Sequence, residues 1–351
     1  VNDPGLLTVE QAINALDQFD TIIDVRSPAE WQEDHLPNAI NLPVLDNAER
    51  AEVGTLYSTS AFDAKKVGAA KVARNIAHHL ETALHDKPRS WRPLIYCWRG
   101  GNRSNALALI CQKIGWKASV LEGGYTAFRR FVISDLAVKA AAFEYRVVCG
   151  VTGSGKSHFL RELASEGHQV LDLEALAHHR GSLLGTEPVG EQPSQKSFET
   201  QIWDCLRQLD TQRPVFVESE SRKIGSVQVP AGLIEKMRQS SCIELTPSLS
   251  DRVAFLCREY DHFFQQPDEL ILQLERLKPL VGTDRLNQWV RFIQQAQWPA
   301  LVESLLTDHY DPAYRRSMEK NYLQVRQAIR IAHHVGVTHS TPVSVSALIS
   351  T

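Results

Sequence analysis

"PLIYCWRGGNRS", residues 93–104, decides how the first part of the chain folds. Pro93-Leu94-Ile95-Tyr96 is an apolar, β-prone run, and an amphipathic pattern begins near Ser104, so the stretch reads strand, loop, helix. A strand entering a helix through a short glycine-rich loop belongs to a parallel sheet covered by helices. The loop carries Cys97, Arg99, Gly100, Gly101 and Arg103. Glycines let backbone N–H groups turn toward an anion, the helix N-terminus adds positive potential, and the arginines add charge. A core cysteine gains nothing from such neighbours. Cys97 therefore reads as a reactive thiol, nucleophilic as its thiolate, whereas Cys111, Cys149, Cys205, Cys242 and Cys257 read as small buried hydrophobes.

The same alternation extends outward. Thr21–Val25 and Ala118–Leu121 read as strands, and residues 65–85 and 104–114 as helices. Residues 126–143 are rich in helix formers and read as a connector. A second α/β unit begins at Tyr145, with strands expected near 145–149, 168–172, 214–218 and 241–245. From about residue 250 the spacing of Leu, Trp and Phe predicts helices. The expected organisation is thus domain 1–132, helical connector 133–144, domain 145–335 and tail 336–351, with a lid at Gly185–Lys196, where two prolines fall. The tail's Ser/Thr/Val-rich composition suits a mobile end or a terminal strand.

In the second unit "GVTGSGKS", residues 150–157, follows an apolar strand and precedes a helical pattern, the context that G-x-x-x-x-G-K-[ST] requires. Gly150, Gly153, Ser154, Gly155, Lys156 and Ser157 predict a diphosphate cradle: amides surround the phosphates, Lys156 neutralises oxygens, and the Ser157 hydroxyl offers itself to Mg²⁺. "PVFVESES", 214–221, is a strand ending in Glu218 and Glu220, candidates for a second carboxylate at that site. Arg222 and Lys223 are candidate contacts for an RNA backbone, as are Arg129, Arg130, Arg315 and Arg316; each reads more readily as solvated surface charge. The motif fixes diphosphate binding more firmly than nucleotide hydrolysis. No full kinase or GTPase set accompanies it.

With 351 residues, 43% hydrophobic and 23% charged, the chain has room for two cores, and its net charge of -3 leaves any nucleic-acid binding to a local patch. Six cysteines without CxxC spacing, no signal-like start and no membrane-length apolar run predict a reduced, cytoplasmic protein without a membrane partner. The pairs His78/His79, His178/His179 and His333/His334 do not read as metal ligands, because adjacent side chains diverge on a strand or helix. His178–Ser182 reads instead as a polar, basic loop near the cradle.

Residues 24–43 ("DVRSPAEWQEDHLPNAINLP"), "CWRGGNRS" and "LEGGYTAF" (121–128) together resemble the rhodanese family. The resemblance implies that Cys97 handles a chalcogen, that loop amides hold the leaving anion, and that Asp24 and Arg26 support the loop. The loop departs from that family in one respect: Arg103 follows Cys97 by six positions, giving C-x5-R, the spacing of phosphatases that work through phosphocysteine. A phosphatase also needs a general acid, for which the sequence offers no clear candidate. With "VLDLEALAHHRGSLLG" (170–185), "PSQKSFE" (193–199), "VFVESESRKIG" (215–225) and "HYDPAY" (309–314), the chain from about 5 to 330 resembles the tRNA 2-selenouridine synthase family, with Asn102 where that family commonly has Met. That resemblance implies an enzyme, a transferase acting on wobble 2-thiouridine in tRNA, with geranyl diphosphate and selenophosphate as co-substrates. It also implies no tightly bound cofactor and a selenophosphate-producing partner enzyme. The alternatives left open are a C-x5-R phosphatase with a nucleotide-binding regulator, an ATP-driven sulfurtransferase or kinase, and a tRNA-binding protein without activity.

Overall fold

The structure is a computed structural model and describes residues 5–181, 190–333 and 335. The chain forms two compact units: residues 1–136 with 193–204, and residues 137–192 with 205–351. Segment 193–204, which sequence order assigns to the second domain, thus groups with the first. The expected tail, His334 and residues 185–189 of the expected lid lie outside the described residues.

In the first unit, strands β1 (Gly5–Leu7), β2 (Thr21–Asp24), β3 (Ala39–Asn41), β4 (Pro93–Tyr96) and β5 (Ser119–Leu121) form a parallel sheet in the order β1-β5-β4-β2-β3. All four residues of β4 are buried, as a central parallel strand requires. Helix Asn102–Ile114 lays Leu107, Ala108 and Cys111 on the sheet and stops at Gly115, whose N–H closes on the Cys111 carbonyl in a left-handed turn. Leu107 packs fully buried with Ile23, Val25, Ile95 and Val120, so Leu107→Ala costs about 2–5 kcal/mol. The helix expected over 65–85 spans Ala61–Glu81, and the connector helix Gly124–Ala142 begins inside this unit. Segment 193–204 is fastened by Trp203, fully buried, which donates from Nε1 to Asp135 at 2.8 Å and meets Phe128 edge-on at 5.6 Å.

In the second unit, β6 (Tyr145–Cys149), β7 (Gln169–Leu171), β8 (Val215–Glu218), β11 (Ser241–Leu245) and β12 (Ile329–Ile331) form a parallel sheet ordered β12-β11-β6-β8-β7. Between them lies a small antiparallel pair, β9 (Lys223–Ile224) and β10 (Val227–Gln228). Because β6 has β8 on one side and β11 on the other, its C-terminal end is a switch point where loops diverge and a crevice opens. Val148, Phe159, Leu160, Phe216 and Ile243 form the core beneath it. Beyond β11 and the helix Leu249–Glu259, helices that include Pro267–Glu275, Thr283–Gln294 and Trp298–Leu305 gather a separate apolar core around Leu274 and Trp289. Among the described residues, no helix is long and apolar enough to cross a membrane.

Candidate active sites: a cysteine loop and a phosphate cradle

Cys97 leaves the end of β4 and is 3% exposed. Gly101, at φ +76°, caps the helix that follows, so the turn depends on a glycine there. Gly100 does not share this role: its φ is ordinary and a Cβ would meet nothing within 4 Å. The Ser104 hydroxyl lies 3.4 Å from Cys97 Sγ and 3.1 Å from the Gly101 carbonyl, both as acceptors of its hydrogen. The loop is clamped from below, where Tyr125 and Thr126 donate backbone N–H groups to the Cys97 and Trp98 carbonyls at 2.8 and 2.9 Å. Gly124 permits this approach, since a Cβ there would overlap the Cys97 carbonyl oxygen.

Arg103 turns away from the role expected of it. Its guanidinium donates to both oxygens of Glu30, at 2.8 and 3.3 Å, leaving Arg99 as the exposed cation of the loop. Burial pushes the Glu30 carboxyl up, but Arg103 and the Ser27 N–H more than offset it and hold its pKa below 4.5. Arg26 and Asp24 are fully buried and bonded to each other, and the Arg26 guanidinium lies 3.9 Å from the centre of the Tyr125 ring. The pair therefore supports the loop through Tyr125. Asp34, which sequence reasoning passes over, accepts from the Tyr125 hydroxyl at 2.8 Å and from Thr200 at 3.0 Å, and burial pushes its carboxyl up. Arg129, considered for RNA, is ion-paired with Glu199.

In the second unit, residues 150–155 wrap the end of β6, and Gly155 (φ +77°) caps helix Lys156–Ser165. Lys156 Nζ donates to the Gly150 carbonyl at 3.1 Å, and the Tyr314 hydroxyl accepts the Gly150 N–H at 2.7 Å. Ser154 Oγ is buried with no hydrogen-bond partner among the described residues. Ser157 donates to Glu174 at 2.8 Å, and the Glu174 N–H donates to Glu218 at 2.7 Å. Asp172 and Glu174 stand just beyond β7, Glu218 and Glu220 at the end of β8, so four carboxylates converge from two neighbouring strands. Burial, then the charges of Asp172, Glu174 and Glu220, push Glu218 well above the carboxylate range. Burial and Glu174 bring Glu220 up to about 8.

Lys156, Ser157, Asp172, Glu174 and Glu220 line a cavity of about 560 Å³, whose wall also holds Arg161, His178, His179 and Arg180, while Glu218 is buried behind it. The histidine and arginine loop thus lines the cradle, as its sequence position suggests. Arg222 and Lys223 are exposed and are not part of the cavity wall. The sequence signal for Asp172, Glu174 and Tyr314 is their position: two follow a strand end, and Tyr314 closes the quoted "HYDPAY" segment.

Fold and sites together define a chain that joins a rhodanese-like unit, with its cysteine loop, to a unit with a phosphate-binding loop of the P-loop type. The rhodanese-like domain family matches residues 8–131, and the tRNA 2-selenouridine synthase AAA domain family matches residues 143–333. The chain belongs to the tRNA 2-selenouridine synthase family. A tRNA 2-selenouridine synthase of Alcanivorax borkumensis is 30% identical over 84% of this chain and 88% of its own length. That of Bdellovibrio bacteriovorus is 30% identical over 90% of this chain and 93% of its own. That of Nitrosomonas europaea is 37% identical over 68% of this chain and 63% of its own.

Proposed function

We propose that this chain is a cytoplasmic transferase that converts wobble 2-thiouridine of tRNA to 2-selenouridine through an S-geranyl intermediate, with geranyl diphosphate and selenophosphate as co-substrates. The relatives' name supports the tRNA and selenouridine parts of this reading. The observation that carries the two-step form is that a diphosphate cradle and a cysteine anion loop occur in one chain, each in its own unit.

In the first step the thiouridine sulfur attacks the ester carbon of geranyl diphosphate, the C–O bond breaks, and diphosphate leaves with the electron pair while N3 of the base gives up its proton. Amides of residues 153–157 and Lys156 stabilise the charge that grows on the leaving oxygens. Ser157 and Glu174 are hard oxygen donors 2.8 Å apart, suited to Mg²⁺, which typically takes one or two protein oxygens and completes its shell with phosphate and water. When bound there it would supply further charge neutralisation.

In the second step selenium, already reduced in selenophosphate, replaces sulfur at C2, and geranylthiol leaves. No redox partner is required. Cys97 serves as nucleophile, held under the helix N-terminus with Ser104 at its sulfur. Attack on phosphorus would release selenide and leave phosphocysteine for water to cleave; attack on C2 would expel geranylthiol and leave a cysteine adduct that the selenium of selenophosphate displaces, water then taking the phosphoryl group from selenium as phosphate. Trapping the Cys97 adduct and weighing it by intact-protein mass spectrometry distinguishes these routes, and absence of any adduct in an active enzyme would refute covalent participation. Arg222 and Lys223 are proposed contacts for the tRNA backbone, and a selenophosphate-producing enzyme is the proposed supplier.

A further inference from the structure

Beside the cradle, in the same unit, lies a second cavity of about 60 Å³. Thr152, Leu256 and Tyr260 line both cavities, so the phosphate loop and this space share a doorway. Leu256 stands close over the loop: its Cδ1 is 2.8 Å from where a Cβ on Gly153 would fall. Beyond the doorway the walls come from two core clusters, Phe263, Leu270, Leu301 and Leu305 from one, Val302 and Leu306 from the other. The space is the seam between cores that meet without merging.

Among the described residues, no charged side chain lines this seam. Its polar groups are Thr152 and two tyrosine hydroxyls, and that of Tyr310 is buried with no hydrogen-bond partner among the described residues. The rest of the wall, including Leu256, Phe263, Leu270, Leu301, Val302 and Leu305, is hydrocarbon, so along most of the seam an apolar guest is favoured over water. The guest's other end is fixed by the doorway, because it must reach a phosphate cradle.

We propose that this seam takes the hydrocarbon tail of a diphosphate ester whose head sits in the cradle, its apolar side chains parting to admit more than the first few carbons that about 60 Å³ holds, and that Val302 and Leu305 limit the tail length accepted. The proposal rests on the alkyl-transfer reading above and assigns a specificity-determining role to the helical region after β11. Tyr260, stacked on Phe263 with ring centres 6.0 Å apart, stands at the junction of head and tail. There the carbon losing diphosphate becomes electron-poor, and an aromatic face favours such charge. The new C–S bond takes its electron pair from sulfur as the C–O pair departs.

The test is competition binding of inorganic diphosphate and of dimethylallyl, geranyl and farnesyl diphosphates to the full chain and to Val302→Phe and Leu305→Ala. Geranyl diphosphate is expected to bind roughly 100-fold or more tighter than inorganic diphosphate, since each buried methylene adds to affinity. Val302→Phe should reduce that ratio at least ten-fold while leaving inorganic diphosphate within two-fold, which also shows that the variant is folded. Leu305→Ala should shift preference toward farnesyl diphosphate. Equal binding of geranyl and inorganic diphosphate, or ratios unchanged in both variants, overturns the tail pocket and leaves the cradle standing. If Val302→Phe also loses inorganic diphosphate, the geranyl-to-farnesyl ratio of Leu305→Ala decides. Failure of inorganic diphosphate to bind the wild-type chain overturns the alkyl-transfer reading and the tail pocket together.

Discussion

Arg252 and Asp311 form a buried two-bonded ion pair, and the same guanidinium donates from Nε to the Thr152 carbonyl inside the phosphate loop at 2.9 Å. Arg252, on the helix after β11, therefore holds the loop in shape through its backbone. Arg252→Ala would strand Asp311 in a dry site, and such a loss costs about 3–5 kcal/mol. It should lower Tm and weaken diphosphate binding. Arg252→Lys should restore little, because an ammonium cannot reproduce the fork. Calorimetric melting and diphosphate titration of both variants check this; an unchanged melting temperature in Arg252→Ala would contradict it.

Gly124 tests the clamp under Cys97. An alanine there meets both a positive φ, +56°, and the Cys97 carbonyl oxygen. Gly124→Ala should destabilise the first unit by roughly 1–3 kcal/mol, the usual range for such strain, and reduce Cys97 alkylation by iodoacetamide or change its rate. Gly100→Ala, with open space around it, should do neither. Side-by-side melting curves and alkylation rates separate the two glycines.

The Glu30–Arg103 pair gives a pH signature. The folded pKa of Glu30 lies below 4.5, so the folded state binds its proton less readily than the unfolded chain does. The stability this contributes is present above 4.5 and is lost as pH falls through the lower, folded value. Glu30→Gln should flatten the acid limb of the first unit's stability curve between those values. Urea melts from pH 3 to 6 measure it, and an acid limb of unaltered slope would show that the pair is not linked to folding.

Exposed Arg222 and Lys223 are the proposed phosphate contacts. If either touches the tRNA backbone, its alanine variant should weaken binding evenly across tRNAs and reduce the salt slope of log K by about 1. Filter binding over a salt series reads this. A slope identical to wild type would return the residue to ordinary surface charge.

How much of this is legible in sequence depends on how local the chemistry is. The 150–157 loop and the Cys97 loop are readable because every group that defines them lies within a few residues of a strand and a helix. Asp172 and Glu174 are harder, since their meeting with Glu218 depends on β7 pairing with β8 across more than forty residues. Strand β12 is a short, half-exposed Ile-Arg-Ile that gains strand character only by lying beside β11. Segment 193–204 is assigned to the first unit by Trp203 and Thr200, whose partners Asp135 and Asp34 lie far back in the chain. Arg103 shows the converse: its spacing from Cys97 suggests an anion ligand, yet Glu30, distant in sequence, occupies its fork.

The most direct test of the two-site reaction is nucleoside mass spectrometry of 2-thiouridine tRNA incubated with the purified chain and geranyl diphosphate, then with selenophosphate, in wild type, Lys156→Ala and Cys97→Ala. Wild type should yield S-geranyl-2-thiouridine and then 2-selenouridine. Lys156→Ala should stop before the geranylated nucleoside, and Cys97→Ala should accumulate it. Selenation at wild-type rate by Cys97→Ala, or unchanged tRNA with the wild-type chain, would contradict this division of labour and return phosphate-ester hydrolysis by the cysteine loop to the front.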